Sequence, residues 1–61
     1  MNKIKRLRIL NDCTQKEIAE YLEIKQNTYS LKERGDKKFT LEEGLKLAKY
    51  YNLTVEELFG C

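Results

Sequence analysis

Three threonines stand three residues ahead of a glutamate, each just before an apolar run: Thr14 with Glu17, Thr40 with Glu43 and Thr54 with Glu57. At a helix start the threonine hydroxyl accepts from an amide of the first turn while the glutamate reaches back to the threonine amide. Two orphan donors are satisfied together. Three such boxes in 61 residues set helix starts near 15, 41 and 55. Cys13 with Ile18, and Leu53 with Leu58, stand where a hydrophobic staple closes the first and third of these starts.

The remaining apolar residues fill in the other elements. Ile4, Leu7 and Leu10 or Asn11 are spaced for the buried face of a first helix over Lys3 to Leu10, with Asn11 and Asp12 ending it. A second, Gln15 to Leu22, buries Ile18, Ala19 and Leu22. A third, about Gln26 to Arg34, buries Tyr29 and stops at Gly35, which takes the left-handed conformation easily. The fourth runs from Leu41 to Tyr51 with Leu41, Leu45, Ala48 and Tyr51 on one stripe and Asn52 as its cap. Val55 to Phe59 is a fifth, short turn. No alternating strand pattern, repeat or low-complexity run appears, and there is no proline. The expectation is one all-α domain over residues 1–61, near the lower size limit for a core without staples. Five helices this short must cross at steep angles.

The sharpest corner lies at Leu22, Glu23, Ile24 and Lys25, between the second and third helices. Ala19 is small enough there for a close approach. Two helices across so short a turn form a helix-turn-helix, whose second helix fits a DNA major groove. Its outer side carries Gln26, Asn27, Thr28 and Ser30, amide and hydroxyl groups suited to base edges. A merely solvated face would more commonly hold Glu and Lys, the better helix formers. Lys25, Arg34, Lys37 and Lys38 bracket the same helix, the footprint of phosphate contacts. Net charge is only +2, but its distribution is lopsided: ten basic against six acidic residues up to Lys38, two against four after it.

Other chemistries find little support. The chain has no histidine, and its two cysteines, Cys13 and Cys61, give neither a metal-ligand spacing nor a Cys-His pair. They are expected to be free thiols in a reducing cytoplasm, although a disulfide between them is possible in principle. Glu42-Glu43 and Glu56-Glu57 fall in helix first turns, where capping and the helix dipole account for them. No enzyme activity, cofactor or metal is expected. MNKIKRLRIL begins like a secretory leader, but Lys5, Arg6 and Arg8 break its apolar run, and no segment is apolar enough to span a membrane.

In order and spacing, LRILNDCTQ, TQKEIAEYL, the turn EI, TYSLKERG and LKLAKYYNLTVEELF resemble the phage repressor and Cro type of helix-turn-helix protein, the XRE family. The resemblance covers nearly the whole chain. It implies a compact five-helix bundle of the lambda-repressor-like DNA-binding type, with helix three in the major groove and helix two across it. By position, Gln15 bonds a phosphate, and Gln26, Asn27 and Leu31 face bases with Lys25, Ser30 and Arg34 beside them. Lys37 and Lys38 reach the phosphate backbone, and Arg8 pairs with Glu33. The chain departs from the family's pattern at Glu23, where glycine is usual, and at Lys25, where a capping serine or threonine is. Lys32 takes a position normally apolar, so either it snorkels along its stem or helix three is rotated. Leu31 correspondingly either touches a thymine methyl or packs in a rotated core.

The function expected is a sequence-specific, Cro-like transcriptional regulator acting as a homodimer, at least on DNA, on a palindromic operator. NLTVEELFGC, with Leu58 and Phe59, is the expected interface. The alternative is an antitoxin-like or other protein-interaction module on the same fold.

Overall fold

Each capping box forms as a reciprocal pair of hydrogen bonds in the computed structural model, which describes residues 3–60. Thr14 Oγ1 accepts from the Glu17 amide at 3.1 Å while Glu17 Oε1 accepts from the Thr14 amide at 2.8 Å. Thr40 with Glu43 and Thr54 with Glu57 repeat this at 2.9–3.1 Å. The helices are α1 Lys3–Leu10, α2 Gln15–Leu22, α3 Gln26–Arg34, α4 Leu41–Tyr50 and α5 Val55–Phe59. No strand occurs among the described residues. Among the helices whose N-caps are described, α3 alone starts without help, because Lys25 at its N-cap makes no side-chain hydrogen bond.

All four connections turn through left-handed backbone, at Asp12, Glu23, Gly35 and Asn52. Glycine bears this at Gly35 without a Cβ penalty; Glu23, at φ 61, does not. The helices then close on a core whose fully buried members are Ile18, Tyr29, Leu47 and Leu58, joined by Ile4, Ala19, Leu22 and Ala48. Each large side chain removed from water contributes about 1.5–3 kcal/mol. Ala19 lies at the α2–α3 corner, where its carbonyl accepts from the Ile24 amide at 3.0 Å. Thus α3 is packed on α2 and α1, while α4 and α5 close the opposite side.

Three sequence expectations are corrected. Leu10 is 76% exposed and Asn11 is exposed, since Leu10 lies about 120° around α1 from Ile4, and Arg8 takes the inward place beside Leu7. In α4 the inward face is Glu43, Gly44, Leu47 and Ala48, while Leu41 is 75% exposed and Leu45 points outward. The Phe59 ring sets this phase. It lies so near Gly44 that an added Cβ would stand 2.9 Å from Phe59 Cε2. Leu58 belongs to the core, so of the expected interface pair only Phe59 is exposed. Cys13 is half-buried, with Sγ 3.1 Å from the Tyr50 hydroxyl; Cys61, and with it any pairing of the two cysteines, lies outside the described residues.

Candidate nucleic-acid interface

The phase of α3 follows from what it buries. Tyr29, Lys32 and Glu33 face inward, which leaves Lys25, Gln26, Asn27, Leu31 and Arg34 exposed and Thr28 and Ser30 half-buried. Leu31 stands outward at 37% exposure. Lys32 is the residue that turns in: its Nζ lies 2.5 Å from Glu43 Oε1 on the first turn of α4. An ion pair therefore fills a place that an apolar side chain would otherwise occupy, and α3 keeps its phase.

On the other flank, Glu33 gathers three helices. Its carboxylate, only 2% exposed, accepts from Arg8 Nε at 2.7 Å and Nη2 at 3.3 Å, from Gln15 Nε2 at 3.0 Å and from the Tyr29 hydroxyl at 2.9 Å. Arg8 also donates from Nη1 to the Cys13 carbonyl at 2.9 Å, tying in the α1–α2 turn. Burial pushes the Glu33 carboxyl up, but the hydrogen bonds from Arg8, Gln15 and Tyr29 outweigh it and hold it below the usual carboxylate value. The hydrogen bond to Glu33 raises Arg8, and burial followed by that same carboxylate drives the Tyr29 phenol upward. Glu33 is thus an anion and Tyr29 a neutral donor at any ordinary pH.

This network acts on the outer surface through Gln15. As the first residue of α2, Gln15 stands at a helix N-terminus, where amides without intrahelical partners favour an anion. One N–H of its side-chain amide is held by Glu33, which fixes the orientation of the rest. The Tyr29–Glu33 contact has a sequence signal, the i, i+4 spacing within one helix. Lys32 with Glu43 has a weaker one, a lysine on an inward phase and a carboxylate opening the next helix.

Past Gly35 the Asp36 and Lys37 amides both donate to the Leu31 carbonyl, at 2.9 and 3.2 Å, folding the chain back on the end of α3. Lys37 and Lys38 emerge exposed from this turn. Arg34 is exposed as well, and its Nη2 lies 2.9 Å from Asp36 Oδ2. Lys25 and Gln26 open α3 at one end of the face; Arg34, Lys37 and Lys38 close it at the other. No cluster of side chains suited to a metal ion occurs among the described residues, and none of their helices is long and apolar enough to cross a membrane.

A profile described as helix-turn-helix matches residues 4–58. Over 57 residues the chain is 39% identical to the cryptic phage CTXphi transcriptional repressor RstR of Vibrio cholerae, a match covering 93% of this chain and 51% of that protein. It is 31% identical over 58 residues to an uncharacterized HTH-type transcriptional regulator of Methanocaldococcus jannaschii, covering 95% of this chain and 88% of the relative. This chain therefore spans about half the length of the phage repressor. No solved structure matches significantly.

Proposed function

The chain belongs to the helix-turn-helix family, and on that premise we propose that it is a transcriptional regulator that binds double-stranded DNA with α3 in the major groove. The observation that carries this is the contrast between the two sides of α3. Its inner side is fixed by two buried carboxylates, Glu33 toward α1 and α2 and Glu43 toward α4. Its outer side offers Gln26 and Asn27, which suit bidentate contact with adenine, and Leu31, which suits a thymine methyl. A rigid reader aligned by its own scaffold is what discrimination between bases requires.

In this reading Gln26, Asn27, Ser30 and Leu31 face the base edges. Gln15, Lys25, Arg34, Lys37 and Lys38 meet phosphates and set the register. Arg8 and Glu33 form the internal brace. The chain acts in the cytoplasm, without a cofactor, as a homodimer at least on DNA, since one such helix reads few base pairs and two-fold operators present half-sites about 34 Å apart. The repressor name of one relative, the phage protein, supports repression over activation.

Selection of duplexes from a random pool tests this. A pair of inverted half-sites is expected. Unbiased recovery of sequences, together with a tight protein partner, would favour an antitoxin-like interaction module instead.

A further inference from the structure

Arg34 and Asp36 stand on either side of the end of α3, and the turn at Gly35 brings their side chains together. Gly35, at φ 90, folds the chain back so that the Asp36 and Lys37 amides both donate to the Leu31 carbonyl. The Asp36 carboxylate then meets the Arg34 guanidinium, Oδ2 to Nη2 2.9 Å, with the two side chains 59% and 62% exposed. Lys37 and Lys38 follow, both exposed. Asp36 is thus the one acidic residue in the run from Arg34 to Lys38, the stretch that closes the proposed phosphate face.

The fold gains little from this carboxylate. Backbone amides hold the turn, and asparagine at position 36 would supply the same donor. An exposed ion pair adds little to stability, and Asp36 stands beside the carbonyl end of α3, where the helix dipole disfavours an anion. Its effect falls on Arg34 instead. A guanidinium engaged by a carboxylate reaches a phosphate only when that pair opens, and a carboxylate uncovered beside a duplex is repelled by it.

From this geometry we propose that Asp36 is a latch on the phosphate-binding face, holding Arg34 in the free protein and releasing it to the duplex. The latch rests on the DNA reading above and adds to it a residue that weakens binding. When Arg34 moves to a phosphate, the unpaired Asp36 attracts a cation from solution, which offsets part of the counterion release that drives phosphate contacts. Asp36 therefore loosens the hold on duplex of every sequence. Base preference stays with Gln26, Asn27 and Leu31 on the outer side of α3.

The test measures affinities of the full chain, Asp36→Asn, Arg34→Gln and the double variant for the selected duplex and for an unrelated duplex of equal length, at several salt concentrations. Asp36→Asn should match or slightly exceed the wild-type melting temperature. It should tighten both duplexes alike by up to about five-fold, the factor equivalent to one exposed ion pair, and steepen the slope of log affinity against log salt by up to about one. In the Arg34→Gln background the same change should gain markedly less, because no guanidinium is held there. Asp36→Glu, which keeps the charge, should bind more like wild type than Asp36→Asn does. Equal gains with and without Arg34 would overturn the latch, since Asp36 would then act as a plain surface charge. Unchanged affinity in Asp36→Asn would overturn it as well, and so would a gain confined to one duplex, which would place Asp36 at a base. If no variant retains either duplex, the DNA reading itself fails and the latch falls with it.

Discussion

Lys32 and Glu43 form an ion pair of 2.5 Å with side chains only 8% and 10% exposed, joining the last turn of α3 to the first of α4. The two partners are unequally supported. Glu43 Oε1 also accepts from the Thr40 amide at 2.9 Å, whereas Lys32 has, among the described residues, its carboxylate partner alone. Lys32→Met should therefore cost about 1–2 kcal/mol, and Glu43→Leu, which strands a buried ammonium and breaks the cap, about 3–5 kcal/mol. Lys32→Met with Glu43→Leu should recover most of the larger loss. Urea denaturation of the three variants checks this, and equal costs for the two single changes would refute the asymmetry.

Arg8→Met is expected to destabilise the fold by about 3 kcal/mol, because it leaves a buried carboxylate short of its strongest partner. Adding Glu33→Leu should recover only part of this. Tyr29 and Gln15 both donate to Glu33, so its removal orphans a buried hydroxyl as well. Adding Tyr29→Phe should restore more. Melting temperatures along this series test whether Glu33 is the shared acceptor; strictly additive losses would show that it is not.

Stability should fall on acidification through these same carboxyls. Burial raises both Glu33 and Glu43, but the donors around them, Arg8 for the first and Lys32 for the second, bring each below the ordinary value of 4.5. The unfolded chain therefore takes up protons first as pH drops. The contribution is fully present above 4.5 and is lost as pH falls from there through the folded-state values. Denaturation midpoints between about pH 6 and about pH 3 should decline, and Glu43→Gln should flatten the decline. An unchanged profile in Glu43→Gln would remove Glu43 from the account.

The α2–α3 corner is open to improvement at two positions. Glu23 holds φ 61 and ψ 41, so Glu23→Gly should stabilise by up to about 1 kcal/mol. Lys25→Ser should add a cap worth about 1 kcal/mol where none exists. Under the proposed function Lys25→Ser also removes a phosphate contact, so the protein should melt higher and bind duplex more weakly. A parallel change in both would place Lys25 in the scaffold alone.

Helix positions were legible because their signals are local. Thr14, Thr40 and Thr54 each need only a glutamate three residues on, and Gly35 needs only its own lack of a Cβ. The face of α4 was not legible, because side-chain size favours Leu41 and Leu45 while the inward phase is set by Phe59, which docks on Gly44 from fifteen positions away. For the same reason the choice at Lys32 stayed open until Glu43 supplied its counter-charge. Around the candidate interface, pattern and resemblance bring Arg8 to Glu33, but the convergence of Gln15 and Tyr29 on that carboxylate depends on how three helices cross. The outward set on α3 follows from the inward one, so the groups offered to a ligand were readable where their second partners were not.

The central claim is that α3 reads bases while its neighbours hold phosphates, and one matrix of affinities tests it: wild type, Gln15→Ala, Gln26→Ala, Asn27→Ala and Lys38→Ala against the selected duplex and its single-base variants at several salt concentrations. Lys38→Ala should weaken every duplex alike and lower the slope of log affinity against log salt by about one. Gln15→Ala, losing a neutral group, should weaken binding with little change in slope. Gln26→Ala and Asn27→Ala should each lose about 1–3 kcal/mol of preference for the correct base pair at an unchanged slope. If both retain the wild-type base preferences, α3 does not read the groove and the account is contradicted.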